Sequence, residues 1–289
     1  MKSSLKYLIT FSIILHNQTS SADGLNDWQL MVGASKEAQP HWITPIATVT
    51  PRLEQEIRLD LTKQYMTNGS TYTNYGAGKG LELILSENTE IVINLPNYQT
   101  RDGGASSEVN GYINRAWQDE TLLLKYRFLS ANEESGNYIL TGFLGASIPT
   151  GSDYSTFSNQ KEVYTATLAA GKGWGSRESG LDIQSTLGIS SIAGEQKKIG
   201  TNIPSVAWNT TLQAHVYKYF WPEVEMNVSH FEDGPAHGKN QIIMTYGLVL
   251  GRLKVTDNSN FIIGVGYQNA ISDYTLYSHG WNLTTRLTF

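Results

Sequence analysis

The chain has 289 residues, a formal net charge of −5 and no cysteine; 16% of its residues are charged, 11% are aromatic (16 Tyr and 7 Trp among them) and 27 are Gly. Without cysteine, disulfide frameworks, thiolate zinc sites and thiol nucleophiles are excluded, and without a basic excess there is no surface to neutralise nucleic-acid phosphates. Low charge with many Tyr and Gly excludes a helical bundle or a disordered chain and suits strands joined by tight turns.

At the N-terminus, Lys2 and Lys6 precede an apolar run, Leu8 to Leu15, that is too short to span a bilayer, and Ser20-Ser21-Ala22 offers a small-residue cleavage pattern. Residues 1–22 therefore read as a signal peptide. Residues 23–52 carry Trp28, Leu30, Met31 and Val32, then His41-Trp42-Ile43-Thr44-Pro45-Ile46. This stretch reads as a periplasmic lead-in packed on a rim, or as a small plug. The first reading is preferred because 30 residues are few to fill a barrel. No stretch shows a long helical period.

From residue 53 the chain alternates. Ile57-Arg58-Leu59-Asp60-Leu61-Thr62 is apolar at every second position, and Glu223-Val224-Glu225-Met226-Asn227-Val228 is equally strict. Period 2 puts apolar side chains on one sheet face and polar ones on the other. Strands are expected over 53–66, 72–85, 89–97, 119–129, 137–149, 161–173, 179–192, 205–219, 222–232, 240–253, 259–269 and 280–289. Their connections mostly alternate short and long: Ser86–Asn88, Trp174–Glu178 and Phe220-Trp221 are short, Tyr98–Gln118, Thr150–Gln160 and Ala193–Pro204 long.

Aromatics sit near strand ends (Tyr126, Phe128, Tyr138, Trp208, Tyr219, Phe220, Trp221, Trp281), where a membrane barrel places its girdles. Phe289 ends the chain in register with Leu287, Leu283 and Trp281, a pattern resembling the assembly signal read by the barrel-assembly machinery. The fold expected for residues 53–289 is thus an all-β, antiparallel transmembrane barrel of about 12 strands, exported to the outer membrane of a Gram-negative bacterium. A soluble sandwich is the competing architecture, but its strands are usually shorter.

Several stretches carry a family resemblance: Tyr75-Gly-Ala-Gly-Lys-Gly-Leu-Glu-Leu-Ile84, Asn88-Thr-Glu-Ile91, Leu95-Pro-Asn-Tyr98, Lys125-Tyr-Arg-Phe-Leu129, the Gly142–Thr150 stretch and Trp208-Asn-Thr210. Together they cover most of residues 50–289, and the chain resembles the MetA-pathway of phenol degradation family of outer-membrane transporters. The resemblance implies an outer-membrane barrel passing small molecules, aromatic or hydrophobic ones among them. Its motifs are strand and turn patterns, so no functional residue is carried over.

With the apolar parity facing lipid, the inward set is Glu56, Arg58, Asp60, Glu82, Glu90, Lys125, Arg127, Asp182, Gln184, Gln213, His215, Glu223, Glu225, Asn227 and Arg286. These are the candidate lumen-lining residues. They form either a selectivity lining for polar solutes or a salt-bridge network that packs a small barrel. First and last strands must adjoin at closure, so Arg286 with Asp60, or Arg58 with an acid on the second strand, is expected to pair. Val92 and Leu123 offer only scattered inward apolar positions, which argues against a purely hydrophobic pathway.

Weaker patterns add little. Gly76-Ala-Gly-Lys-Gly80 lacks the Lys-Ser/Thr pair of a phosphate loop. His230 and His237 match no metal-ligand spacing. Ser229 and His230 are adjacent and so point to opposite faces of a strand, which does not suit an outer-membrane hydrolase. The expected function is a channel or transporter for passive passage of small solutes, with no catalysis, cofactor, metal or nucleic-acid partner. Lipid, solute and the assembly machinery are the expected partners, and a structural or surface-interaction barrel with a packed lumen is the alternative.

Overall fold

The computed structural model describes residues 21–76, 80–94, 96–103, 114–152, 161–193, 203–232 and 236–289. All but the end of the expected signal peptide lies outside these residues, as do 104–113, 153–160 and 194–202 in the long loops. Among the described residues, fifteen strand segments follow one helix. They are β1 (Glu56–Met66), β2 (Thr71–Tyr75), β3 (Gly80–Ser86), β4 (Thr89–Asn94), β5 (Tyr98–Asp102), β6 (Arg115–Trp117), β7 (Glu120–Ala131), β8 (Tyr138–Ile148), β9 (Val163–Gly175), β10 (Gly180–Ile192), β11 (Val206–His215), β12 (Phe220–Phe231), β13 (Lys239–Thr256), β14 (Ser259–Ala270) and β15 (Tyr277–Thr288).

They make a closed antiparallel barrel of 12 staves, because β2 with β3, β4 with β5 and β6 with β7 are each one stave interrupted midway. β1 closes the cylinder against β15, with Glu56 opposite Thr288 and Lys63 opposite Trp281. The twelve alternating runs correspond to the twelve staves. Short turns lie at one rim, after β3, β7, β9, β11 and β13, so the first stave begins and the last one ends on that side.

The alternation settles which face is which. On β10, Leu181, Ile183, Leu187 and Ile189 are exposed, whereas Asp182, Gln184 and Thr186 are buried. Leu187 has 54% of its surface exposed and Leu144 64%. A continuous apolar exterior of this extent is unfavourable in water by roughly 25 cal/mol per Å² and matches the lipid-facing wall of a transmembrane barrel. Tyr126, Phe128, Tyr138, Trp208, Tyr219, Phe220 and Trp281 are exposed on that wall.

Residues 53–55, expected as strand, precede β1, and the connection expected over Tyr98–Gln118 holds β5 and β6, because those staves extend further toward the long loops than their alternation does. Two further readings of the elements need correction. The turn between β11 and β12 is not Phe220-Trp221 but residues 216–219, where Tyr217 and Lys218 both adopt positive φ (51° and 54°). Two successive left-handed residues match the twist of a tight hairpin, and neither is the Gly or Asn that would announce it. The shift of register turns Trp221 inward. It is 1% exposed and stacks on His215 with ring centroids 4.5 Å apart, so it is no girdle residue.

The second correction is helix α1, Ser21–Glu37. Trp28, Met31 and Val32, spaced i, i+3 and i+4, pack against Leu53 and Ile84. Trp28 Nε1 donates to Ile84 O at 3.0 Å. Leu25 and Leu30 remain exposed, so the apolar face is blurred and the period is hidden.

Leu187→Arg, mid-stave on the outer wall, is expected to cost about 2–4 kcal/mol of folding free energy in lipid, seen as loss of the heat-modifiable folded band on gels. A solvent-facing position would tolerate it within about 0.5 kcal/mol.

Candidate functional site: the barrel interior

Residues 38–55 form neither helix nor strand, and they lie inside the cylinder at its short-turn end. Trp42, Ile43, Ile46 and Leu53 are all 3% exposed or less. Such a segment has no ladder to satisfy its peptide groups, so each must find a partner on the wall. Charged residues of the inward parity supply most of them, with Arg252 at a bulge and Arg52 of the segment itself adding to these. Arg286 donates to Thr44 O (2.5 Å) and Pro45 O (3.0 Å), and Arg58 to Ile46 O (2.6 Å). Arg252 donates to Trp42 O at 2.7 Å, and Arg52 donates to the same carbonyl.

The carboxylates do the converse. Glu223 accepts from Ile46 N (2.9 Å), and Glu225 accepts from Ala47 N (2.7 Å) and Thr48 N (2.5 Å). Glu90 accepts from Glu54 N at 2.6 Å, and Lys125 donates to Arg52 O at 3.1 Å. Gln39 folds back on Leu53, donating to its carbonyl (2.7 Å) and accepting from its N–H (2.9 Å).

The wall is also shaped for this segment. Trp42, Ile43 and Ile46 form one apolar cluster with Ile139, Trp221, Val249 and Ile262. A Cβ on Gly247 would lie 2.7 Å from Ile46 Cδ1, and one on Gly173 2.5 Å from Trp42 Nε1. Contacts that close require a backbone with no side chain, so these strand glycines make room for the segment.

The expected lining residues thus fall into place as follows. Lys125 lies 2.9 Å from Glu90 and 3.6 Å from Glu82, all three fully buried. Glu56 is the register partner of Glu82. Asp182 accepts from Gln184 Nε2 at 2.9 Å, and Gln213 donates to Glu223. His215 meets Ser176 O at 2.7 Å. Arg127 reaches the short-turn rim, donating to Ser35 O (2.7 Å) and Glu87 O (2.5 Å). Asn227 Nδ2 donates to Asn209 Oδ1 at 2.9 Å. Phe289 N donates to Gln55 O (3.1 Å), and its carbonyl accepts from Lys36 Nζ (3.0 Å). His230, weighed as a hydrolytic base, instead hydrogen-bonds Asn240 Oδ1 at 2.7 Å.

The expected pairing at closure is corrected. Arg58 and Arg286 are direct cross-strand partners, a juxtaposition of like charges. Arg58 pairs with Asp60 on its own strand at 2.8 Å, not with an acid on the second stave. Arg286 pairs with backbone carbonyls, not with Asp60. The carbonyls of residues 44–46 attract both guanidinium groups and so permit the like-charge contact.

Arg52, Glu54, Gln39 and Arg252 are central to the interior and were missed. Gln39 and Arg52 precede the alternating runs, and Glu54 lies at the start of the first expected strand, in residues that stay outside β1. Arg252 lies at a bulge, with positive φ (61°) and a register slip between Leu250 and Leu253, so parity does not apply to it.

Where the segment enters, His41 Nδ1 is 2.7 Å from Glu133 Oε2, and Arg177 bonds Glu37 at 2.5 Å. Burial alone pushes the Glu133 carboxyl up, but hydrogen bonds from the His41 side chain and backbone outweigh it and hold it down to about 2. Beyond the segment, toward the long loops, the lumen widens into a cavity of about 600 Å³. Its floor is Ile46, Ala47 and Val49, its walls mix Thr, Ser, Asn and Gln with apolar side chains such as Val92, Leu123, Phe143 and Val163, and among the described residues Arg58 and Asp60 are its charged ones.

No family model matches the chain, and no curated protein matches it. The MetA-pathway resemblance therefore stands on its sequence motifs alone. Among solved structures, an outer membrane channel from Pseudomonas putida F1 is similar with a TM-score of 0.50 at 12% identity, covering 81% of this chain and 94% of that one. A KdgM porin (TM-score 0.46, 8% identity, 81% of this chain and 99% of that one) and a NanC porin (0.47, 10%, 80% and 98%) are similar as well. At these identities the likeness is one of fold.

Two outcomes follow. Lys125→Met leaves Glu82 and Glu90 facing each other in a buried site, and is expected to cost about 3–5 kcal/mol in urea unfolding of the reconstituted protein; an unchanged midpoint contradicts the network. Because the Glu133 carboxyl is depressed on folding, its contribution is present above the unfolded value of ~4.3 and lost as pH falls toward 2. The stability difference between parent and Glu133→Gln should therefore shrink over that window, and a difference that persists at pH 2 contradicts the assignment.

Proposed function

We propose that the protein is an outer-membrane channel for passive passage of small solutes, with residues 38–55 as an internal plug that closes the short-turn half of the lumen. The observation that carries this reading is the division of the interior. A cavity of about 600 Å³ occupies one half, and its floor is not barrel wall but a separate segment held by hydrogen bonds and apolar contacts. Those interactions are individually modest and can be exchanged for water, so the floor can yield where a strand cannot. The apolar exterior supports lipid as the surrounding medium. The mechanism requires no covalent step; passage depends on bore, lining and plug position.

The aromatic solutes implied by the family resemblance would meet Val92, Leu123 and Phe143 on one side of the cavity, with Thr, Ser, Asn and Gln side chains around them. A second reading is favoured by the density of buried ion pairs: the plug never leaves, and the barrel serves as a scaffold for its loops.

The two readings separate in planar-bilayer recordings. The full chain should show small or intermittent conductance, and deletion of residues 40–55 should raise it several-fold. A deletion variant that is heat-modifiable, and so folded, yet conducts no more than the parent contradicts the plug.

A further inference from the structure

We propose that the cavity above the plug is a binding site for a neutral, hydroxyl-rich small molecule of sugar size; the inference rests on the channel reading for how that molecule arrives. Three features of the cavity support it. The first is charge. Arg58 and Asp60, the two charged residues of the lining, neutralise each other at 2.8 Å, and Arg58 is further engaged by Ile46 O at 2.6 Å. An anion would therefore find no free cation there, and a cation no free carboxylate.

The second is hydrogen-bonding capacity. Asn282 is 8% exposed, and its Oδ1 has no hydrogen-bond partner among the described residues. Asn94 Oδ1, also in the lining, is likewise without one. Two buried acceptors with nothing donating to them are costly unless a ligand supplies the donors. Hydroxyl groups do so and also accept from the surrounding Thr and Gln side chains; phenol brings a single donor, too few for both oxygens, and a uronate brings donors together with a carboxylate that meets no free cation. The third is sidedness. Val92, Leu123 and Phe143 form an apolar strip on one wall, and the C–H face of a sugar ring can lie on such a strip while its hydroxyls point to the polar walls.

The test is calorimetric titration of the full chain in a sugar-free zwitterionic detergent with maltose, with an anionic uronate disaccharide and with phenol. Saturable binding of maltose in preference to both others is expected. Asn94→Ala and Asn282→Ala, checked for heat-modifiability, should each weaken it by about tenfold. Absence of maltose binding to the parent protein, or tighter binding of the uronate or of phenol, overturns the site without recourse to any variant. Liposome swelling separates this outcome from failure of the channel reading. Maltose that binds but does not permeate supports the site and contradicts passage, whereas permeation of every solute without saturable binding supports passage and contradicts the site.

Discussion

An irregular polypeptide inside a closed cylinder has no neighbouring strand, so every buried N–H and C=O it carries must be answered by the wall or by the segment's own side chains. Most of the interior follows from that constraint. Arginines 58, 252 and 286 meet carbonyls, glutamates 90, 223 and 225 meet amides, and Gln39 meets both groups of Leu53. The wall charges act as a substitute ladder for a segment that cannot form one. Charge-assisted bonds of this type contribute about 1.5–3 kcal/mol each, against the cost of drying the ions.

This arrangement explains features that are unfavourable in isolation. Arg58 beside Arg286, and Glu56 beside Glu82, are like-charge neighbours across strand pairs. Such contacts destabilise a bare sheet. Here the two arginines share the carbonyls of residues 44–46, and Lys125 reaches Glu82 and Glu90 together. Glycines of β9 and β13 fit the same account, since a side chain at Gly173 or Gly247 would occupy the place of Trp42 or Ile46. Wall and segment are complementary in charge and in shape. An apolar filling could be as stable, but it would not specify the path of the chain so narrowly, and it could not exchange its contacts for water.

The barrel was legible in the sequence because period 2 and the alternating loop lengths are local signals. Most of the buried charges on the staves could be named from parity alone. Parity does not say what a buried charge meets, because that depends on a segment with no period of its own. Residues 23–52 read as a lead-in when judged by length, and the Pro, Thr and charged residues from His41 onward show no alternation. Helix α1 escaped notice because Leu25 and Leu30 interrupt its apolar face. Trp221 was placed on the outer girdle because the turn at 216–219 contains no glycine to mark it. Arg252 was missed because a bulge reverses parity. In each case a local deviation or a long-range partner, not composition, decided the outcome.

The central claim is that the peptide groups of the segment are held by the wall. Hydrogen exchange at the amides of Ile46, Ala47 and Thr48, in protein reconstituted in lipid, tests it most directly. These three N–H groups donate to Glu223 and Glu225 and should exchange as slowly as amides of the flanking staves. Exchange as fast as that of a solvated loop would contradict the account.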